Sequence, residues 1–140
     1  MQLRARRVVA ALLLTLVAVV AGAQEYTPRI RGDPARSRAE AAALGYMRTL
    51  VSAQREYKKK KGGYATSLPA LVNHGSFTRR MTRTDRGEYI VSFTGRPKNY
   101  ALSLTPTQFD AEHRAFFVDE SGDIRVEEDK QATASSAPLK

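Results

Sequence analysis

The chain has 140 residues with 23 basic and 14 acidic side chains, a formal charge of +9, and no cysteine. That length is one domain's worth, and the lack of cysteine excludes disulfides and thiolate metal sites. The basic balance permits contact with anionic lipid, polysaccharide or nucleic acid but selects none of them.

Residues 1–7 hold three arginines and no acid, and residues 8–20 are apolar except for Thr15. These are the basic and hydrophobic regions of a secretory signal peptide. Ala21, Gly22 and Ala23 supply the small residues that signal peptidase accepts, so cleavage is expected between Ala23 and Gln24. The apolar run falls short of the roughly 20 residues that cross a bilayer. Gln24, Glu25, Pro28 and Arg29 follow it at once, and no cysteine is present for lipid attachment. Removing 23 of the 140 residues leaves 117 and, with three arginines gone, lowers the charge from +9 to +6. The expected product is periplasmic or extracellular, with no membrane span after cleavage.

Residues 24–33 are polar, contain Pro28 and show no periodicity, which predicts a flexible leader. Arg31, Gly32 and Asp33 spell an adhesion tripeptide. Asp33 is better read as a helix N-cap, with Pro34 at the first helical position, where its missing N–H is harmless. From 34 to 60, Ala39, Ala43, Tyr46, Leu50, Ala53 and Tyr57 recur at alternating four- and three-residue intervals, the seam of one long helix. Arg36, Glu40, Arg48, Arg55 and Glu56 fall on the opposite face. Four lysines at 58–61 and then Gly62 and Gly63 end the helix, since cations suit its negative pole and glycine its left-handed cap.

Residues 64–72 hold Leu68, Pro69, Leu71 and Val72, a short helical turn with Thr66 or Ser67 as cap, placed as a lid on the core. A basic connector, 73–87, follows. The period then becomes two. Tyr89, Val91 and Phe93 mark one strand, Tyr100, Leu102 and Leu104 a second; 114–118 and 124–126 supply a third and fourth around the acidic turn 119–123. The expectation is an α+β domain over 34–129, one long N-terminal helix packed on a three- or four-stranded antiparallel meander. A polar tail, 130–140, is expected to be mobile.

Chemistry is sparse. His74 and His113 stand alone in loops, without the converging ligands zinc requires. Asp119, Glu120, Asp123, Glu127, Glu128 and Asp129 are oxygen-rich, yet their spacing is not that of an EF-hand, and a hairpin turn accounts for the first three. No serine sits in a glycine elbow, neither histidine has an evident orienting acid, and no phosphate-binding glycine loop is present. The residues imply no catalytic site, metal or cofactor. The feature with binding character is the connector: Arg79, Arg80, Arg83 and Arg86, edged by Phe77 and Tyr89, form a candidate anionic-ligand patch in which guanidinium groups hold phosphates and rings stack on bases.

Several phrases carry a resemblance. Leu50, Ala53, Gln54 and Tyr57 lead into Gly62, Gly63, Tyr64, Ala65, Thr66, Ser67 and Leu68; farther on come Arg114, Phe116, Phe117, Val118, Asp119, Glu120, Ser121, Gly122, Asp123, Ile124 and Arg125; the Ala- and Ser-rich tail ends in Pro138 and Leu139. Across residues 35–139 this resembles the globular domains of type IV pilins and type II secretion pseudopilins. The prepilin peptidase motif of that family is absent, and Pro28 and Pro34 separate the apolar segment from the helix. The resemblance therefore implies a pilin-like domain released in soluble form, non-catalytic, with a protein partner in a secretion, pilus or envelope assembly. The alternative is a secreted binding module for DNA or polysaccharide through Arg79, Arg80, Arg83 and Arg86.

Overall fold

A computed structural model describes residues 25–140. The basic and apolar segment, and the cleavage position at Ala23 and Gln24, lie outside the described residues. One helix, α1 (Arg38–Lys61), precedes a five-stranded antiparallel sheet of β1 (Tyr89–Arg96), β2 (Asn99–Pro106), β3 (Ala115–Asp119), β4 (Arg125–Glu127) and β5 (Ala137–Pro138). The strands lie side by side in chain order. The α+β class matches the sequence expectation, with one strand more than the meander foreseen. Among the described residues no helix is long and apolar enough to cross a membrane.

α1 starts one turn later than the Asp33 cap implied. Asp33 accepts from the Ala35 N–H at 3.1 Å and so closes a turn of its own. Ser37 is the N-cap: its hydroxyl accepts from the Glu40 N–H at 3.1 Å, while the Glu40 carboxylate reaches back to the Arg36 N–H at 2.8 Å. Ser37 and Glu40 thus behave as a capping box displaced by one residue. The far end follows expectation. Gly62 takes the left-handed conformation at φ 82° and its N–H bonds Lys58 O. The 24 residues span about 36 Å.

The buried face of α1 is wider than the predicted seam. Ala43, Leu44, Tyr46, Met47, Leu50, Val51, Ala53 and Gln54 are all buried, and so is Glu40, which periodicity had placed outside. Opposite them the sheet presents Tyr89, Val91, Leu102, Leu104, Phe116 and Val118, in one core with the helix. Register explains the match: Val91 faces Leu104, Leu104 faces Phe116 and Phe116 faces Val126, so a single apolar row crosses four strands on the helix side.

Between helix and sheet, the lid is a 3₁₀ turn, Pro69–Leu71, preceded by Leu68 and lacking the side-chain cap expected from Thr66 or Ser67. Gln54 does that work instead. Its buried amide donates to Ala65 O at 3.1 Å and accepts from Ala65 N–H at 2.8 Å, imitating one rung of a sheet. β1 passes so close beneath that a Cβ at Gly95 would lie 2.4 Å from Ala65 O, so only glycine fits.

The tail expected to be mobile closes the sheet. Val126 pairs with Ala137 and Arg125 with Pro138, and the Leu139 N–H donates to Ile124 O at 2.9 Å. Ser136 receives the Arg125 guanidinium on its carbonyl at 2.9 Å and donates its hydroxyl to Glu127 at 2.7 Å. Composition registered the polarity of this segment but not the partners waiting for it on β4.

Candidate functional site

The arginine connector folds as a 3₁₀ turn, Arg79–Thr82, beside the middle of α1. Its position comes from Tyr46, whose hydroxyl donates to Met81 O at 2.9 Å, and from the Thr84 carbonyl, which accepts from the Val91 N–H at 2.8 Å. Arg79, Arg80, Arg83 and Arg86 are exposed, and among the described residues none forms an ion pair. The aromatic half of the expected patch is missing. Phe77 is 1% exposed and Tyr89 3%, both committed to the core, so neither ring offers a face to a base. Arg86 is partly spent as well, lying 4.3 Å above the Tyr46 ring. Burial pushes the Tyr46 hydroxyl up to about 12, against the opposing charge of Arg86, and keeps it a donor.

The lysines at 58–61 cap the helix as expected and acquire neighbours that the sequence separates from them. Lys58 stands 4.6 Å from the Tyr64 ring centroid and Lys60 pairs with Glu56 at 2.7 Å. The two-residue turn between β1 and β2, Pro97 and Lys98, packs on the segment just after the helix, where Tyr64 N–H donates to Pro97 O at 2.9 Å.

His113 has the acidic partners that sequence reading denied it. Its Nδ1 meets Asp110 Oδ1 at 2.7 Å and its Nε2 meets Glu88 Oε1 at 3.0 Å. Burial opposes charging of the ring, but the two carboxylates outweigh it and raise the imidazole above its ordinary pKa. Asp110, bonded first to His113 and then to the Glu112 N–H, is held below the usual carboxylate range. Both ring nitrogens are occupied, which leaves no free nitrogen to accept a proton from a nucleophile. His74 packs edge-on against Tyr57 with its ring centroid 5.0 Å away. Among the described residues no three His, Cys, Asp or Glu side chains converge on a point where a metal ion fits. Asp119 and Ser121 instead brace their own turn through the Ser121 and Asp123 N–H groups, and Glu128 pairs with Arg36 at 2.8 Å.

The strongest polar constellation was invisible to periodicity. Glu40, with no exposure, takes the Arg114 guanidinium through two bonds of 2.9 and 2.8 Å and the Arg114 N–H at 3.0 Å. Arg114 also donates to Pro34 O at 2.9 Å, and its own carbonyl accepts from the Tyr89 hydroxyl at 2.8 Å. Every member is paired, so the group fastens the start of α1 to the start of β3. The signal for it was the Ser37 and Glu40 spacing. Outside this fastening, a broad concavity of about 1060 Å³ runs between the leader and the outer side of α1, lined by Tyr26, Ile30, Arg38, Gly45, Arg48 and His113 among others.

Comparison with protein families, curated proteins and solved structures gives no match.

Proposed function

We propose that the chain is an exported, non-catalytic interaction protein of pilin-like build, acting in the periplasm or outside the cell by docking onto a secretion, pilus or envelope assembly. The carrying observation is the division of α1 into two faces. The inner face holds the sheet; the outer face of its first half exposes Arg38, Ala42, Gly45 and Arg48 among the described residues and borders the concavity that the leader flanks. Docking by strand addition has little room. The first half of the outer edge of β1 is occupied by Thr84 and Arg86, and β5 is two residues long and ends in proline. Gly45 supports the helix-face reading further, since nothing lies within 4 Å of a Cβ built there, leaving a smooth stretch between two arginines.

The competing reading, an anionic-polymer module, draws on the exposure of Arg79, Arg80 and Arg83 without acidic partners, but it lacks a stacking platform. One experiment separates the two. Capture of a defined envelope protein that survives high salt and is lost in Gly45→Arg supports docking through the helix. Salt-sensitive retention on heparin or DNA that disappears in Arg79→Gln/Arg80→Gln, with no effect of Gly45→Arg on any captured protein, overturns it. The N-terminus of the purified protein tests export in parallel, Gln24 being the expected first residue.

A further inference from the structure

Folding assembles a cationic pole that no stretch of the sequence contains. α1 ends in Lys58, Lys59, Lys60 and Lys61, and the turn between β1 and β2 is seated against Gly63 and Tyr64 just beyond it. Tyr64 N–H holds Pro97 O at 2.9 Å, and a Cβ at Gly63 would lie 3.1 Å from the same oxygen. Arg96 and Lys98 flank Pro97 and so arrive beside the lysines from 35 or more residues away in the chain. All six cations are exposed. The acid among them is Glu56, which Lys60 engages and which also accepts from the Gly75 N–H. Asp119 and Glu120, at the same end of the sheet, belong to the turn after β3 and lie across β2 from β1.

The shape and chemistry of this pole select its partner. The pole stands apart from the concavity beside the leader and from the smaller one at Pro138 and Leu139, neither of which includes any of the six residues. Charges divided between a helix end and a hairpin turn are spread over an area rather than strung along a line, which suits a plane better than a thin polyanion. Five of the six are lysines, hydrated point charges on long flexible stems, which suit a diffuse layer of headgroups better than forked pairing with individual phosphates. The ring at the site is engaged, Tyr64 having Lys58 at its face and Tyr100 at 5.0 Å in an edge contact, so it offers no platform for a nucleotide base.

We propose that the pole built from the end of α1 and the β1–β2 turn docks the protein on an anionic lipid surface. The helix then meets the headgroups with its C-terminal end and points its first half, with the concavity, away from the bilayer. The inference is independent of the pilin-like reading.

Protein expressed from the full sequence, in whichever form the cells yield, is partitioned onto vesicles of phosphatidylcholine with phosphatidylglycerol and onto phosphatidylcholine alone. The ratio of the two binding constants is the readout, because an inserted apolar segment would raise both. Each cation near such a surface contributes about fivefold, so Lys59→Gln/Lys61→Gln and Arg96→Gln/Lys98→Gln should each lower the ratio about twenty-fivefold. Arg79→Gln/Arg80→Gln should change it less than twofold, and all three variants should retain the parental melting curve. A ratio near one for the parent overturns the proposal. So does an unaffected ratio in the hairpin pair, an equal loss in the connector pair, or displacement from the vesicles by duplex DNA at matched charge.

Discussion

The pairing of Glu40 with Arg114 is the residue-scale feature on which the domain most depends. Two charges taken out of water cost several kcal/mol each, and the cost is offset here because the carboxylate accepts from a guanidinium and two backbone N–H groups. Removing one partner leaves the other stranded. Glu40→Met should therefore destabilise by about 3–5 kcal/mol in urea unfolding. The double variant Glu40→Met/Arg114→Met should recover part of that loss, and additive losses would show that the pair is not coupled. His113 makes a second residue-scale case. Its folded pKa lies above its unfolded value of 6.5, so the charged ring stabilises the fold; the contribution is complete below that pH and disappears as pH climbs through the folded pKa. Urea midpoints should fall between pH 5.5 and 8.5 by a component that His113→Gln removes. A slope unchanged in the variant would place the titration elsewhere.

Among the elements, the lid and the tail show how backbone partners determine order. The lid is a 3₁₀ turn in which Leu71 alone is buried, and Gln54 together with the close pass of β1 holds it down. Gly95→Ala forces a methyl against Ala65 O and the Thr66 Cα, atoms of backbone that cannot swing aside, at a cost of about 1–3 kcal/mol. Its urea midpoint, set against that of Gly45→Ala on the open helix face, isolates the contact; equal midpoints would mean that the lid yields freely. At the other end of the chain, β5, the bonds of Ser136 and the Leu139 N–H fasten residues 136–139 to the sheet. Ending the chain at Lys130 should lower stability by about 1–3 kcal/mol, and proteolysis of the intact protein should spare the bonds between 131 and 139.

At the scale of the whole molecule, the four-and-three spacing of apolar residues on α1 and the alternation in β1 and β2 were enough to place one helix on one antiparallel sheet. Both periods arise within a single element, where side-chain direction follows backbone geometry. The helix end was equally legible, because its lysines and Gly62 act on the nearest carbonyls. Legibility stopped at contacts between distant segments. Glu40 looked like a surface acid because nothing local reveals that Arg114, 74 residues on, will neutralise it. Phe77 and Tyr89 looked like ring platforms edging a basic loop, whereas the core claimed both.

Sequence by itself determined the α+β class, the extent of the helix to within a turn at its start, and the charge to be distributed, since these depend on local periodicity and composition. Only the tertiary structure decided where that charge is concentrated. The connector arginines are adjacent in the chain but stripped of their aromatic partners; Arg96 and Lys98 are remote in the chain yet join the lysines of α1, because the hairpin turn is pinned to Tyr64. Electrostatic surfaces depend on distances through space, and those are set only when the core closes.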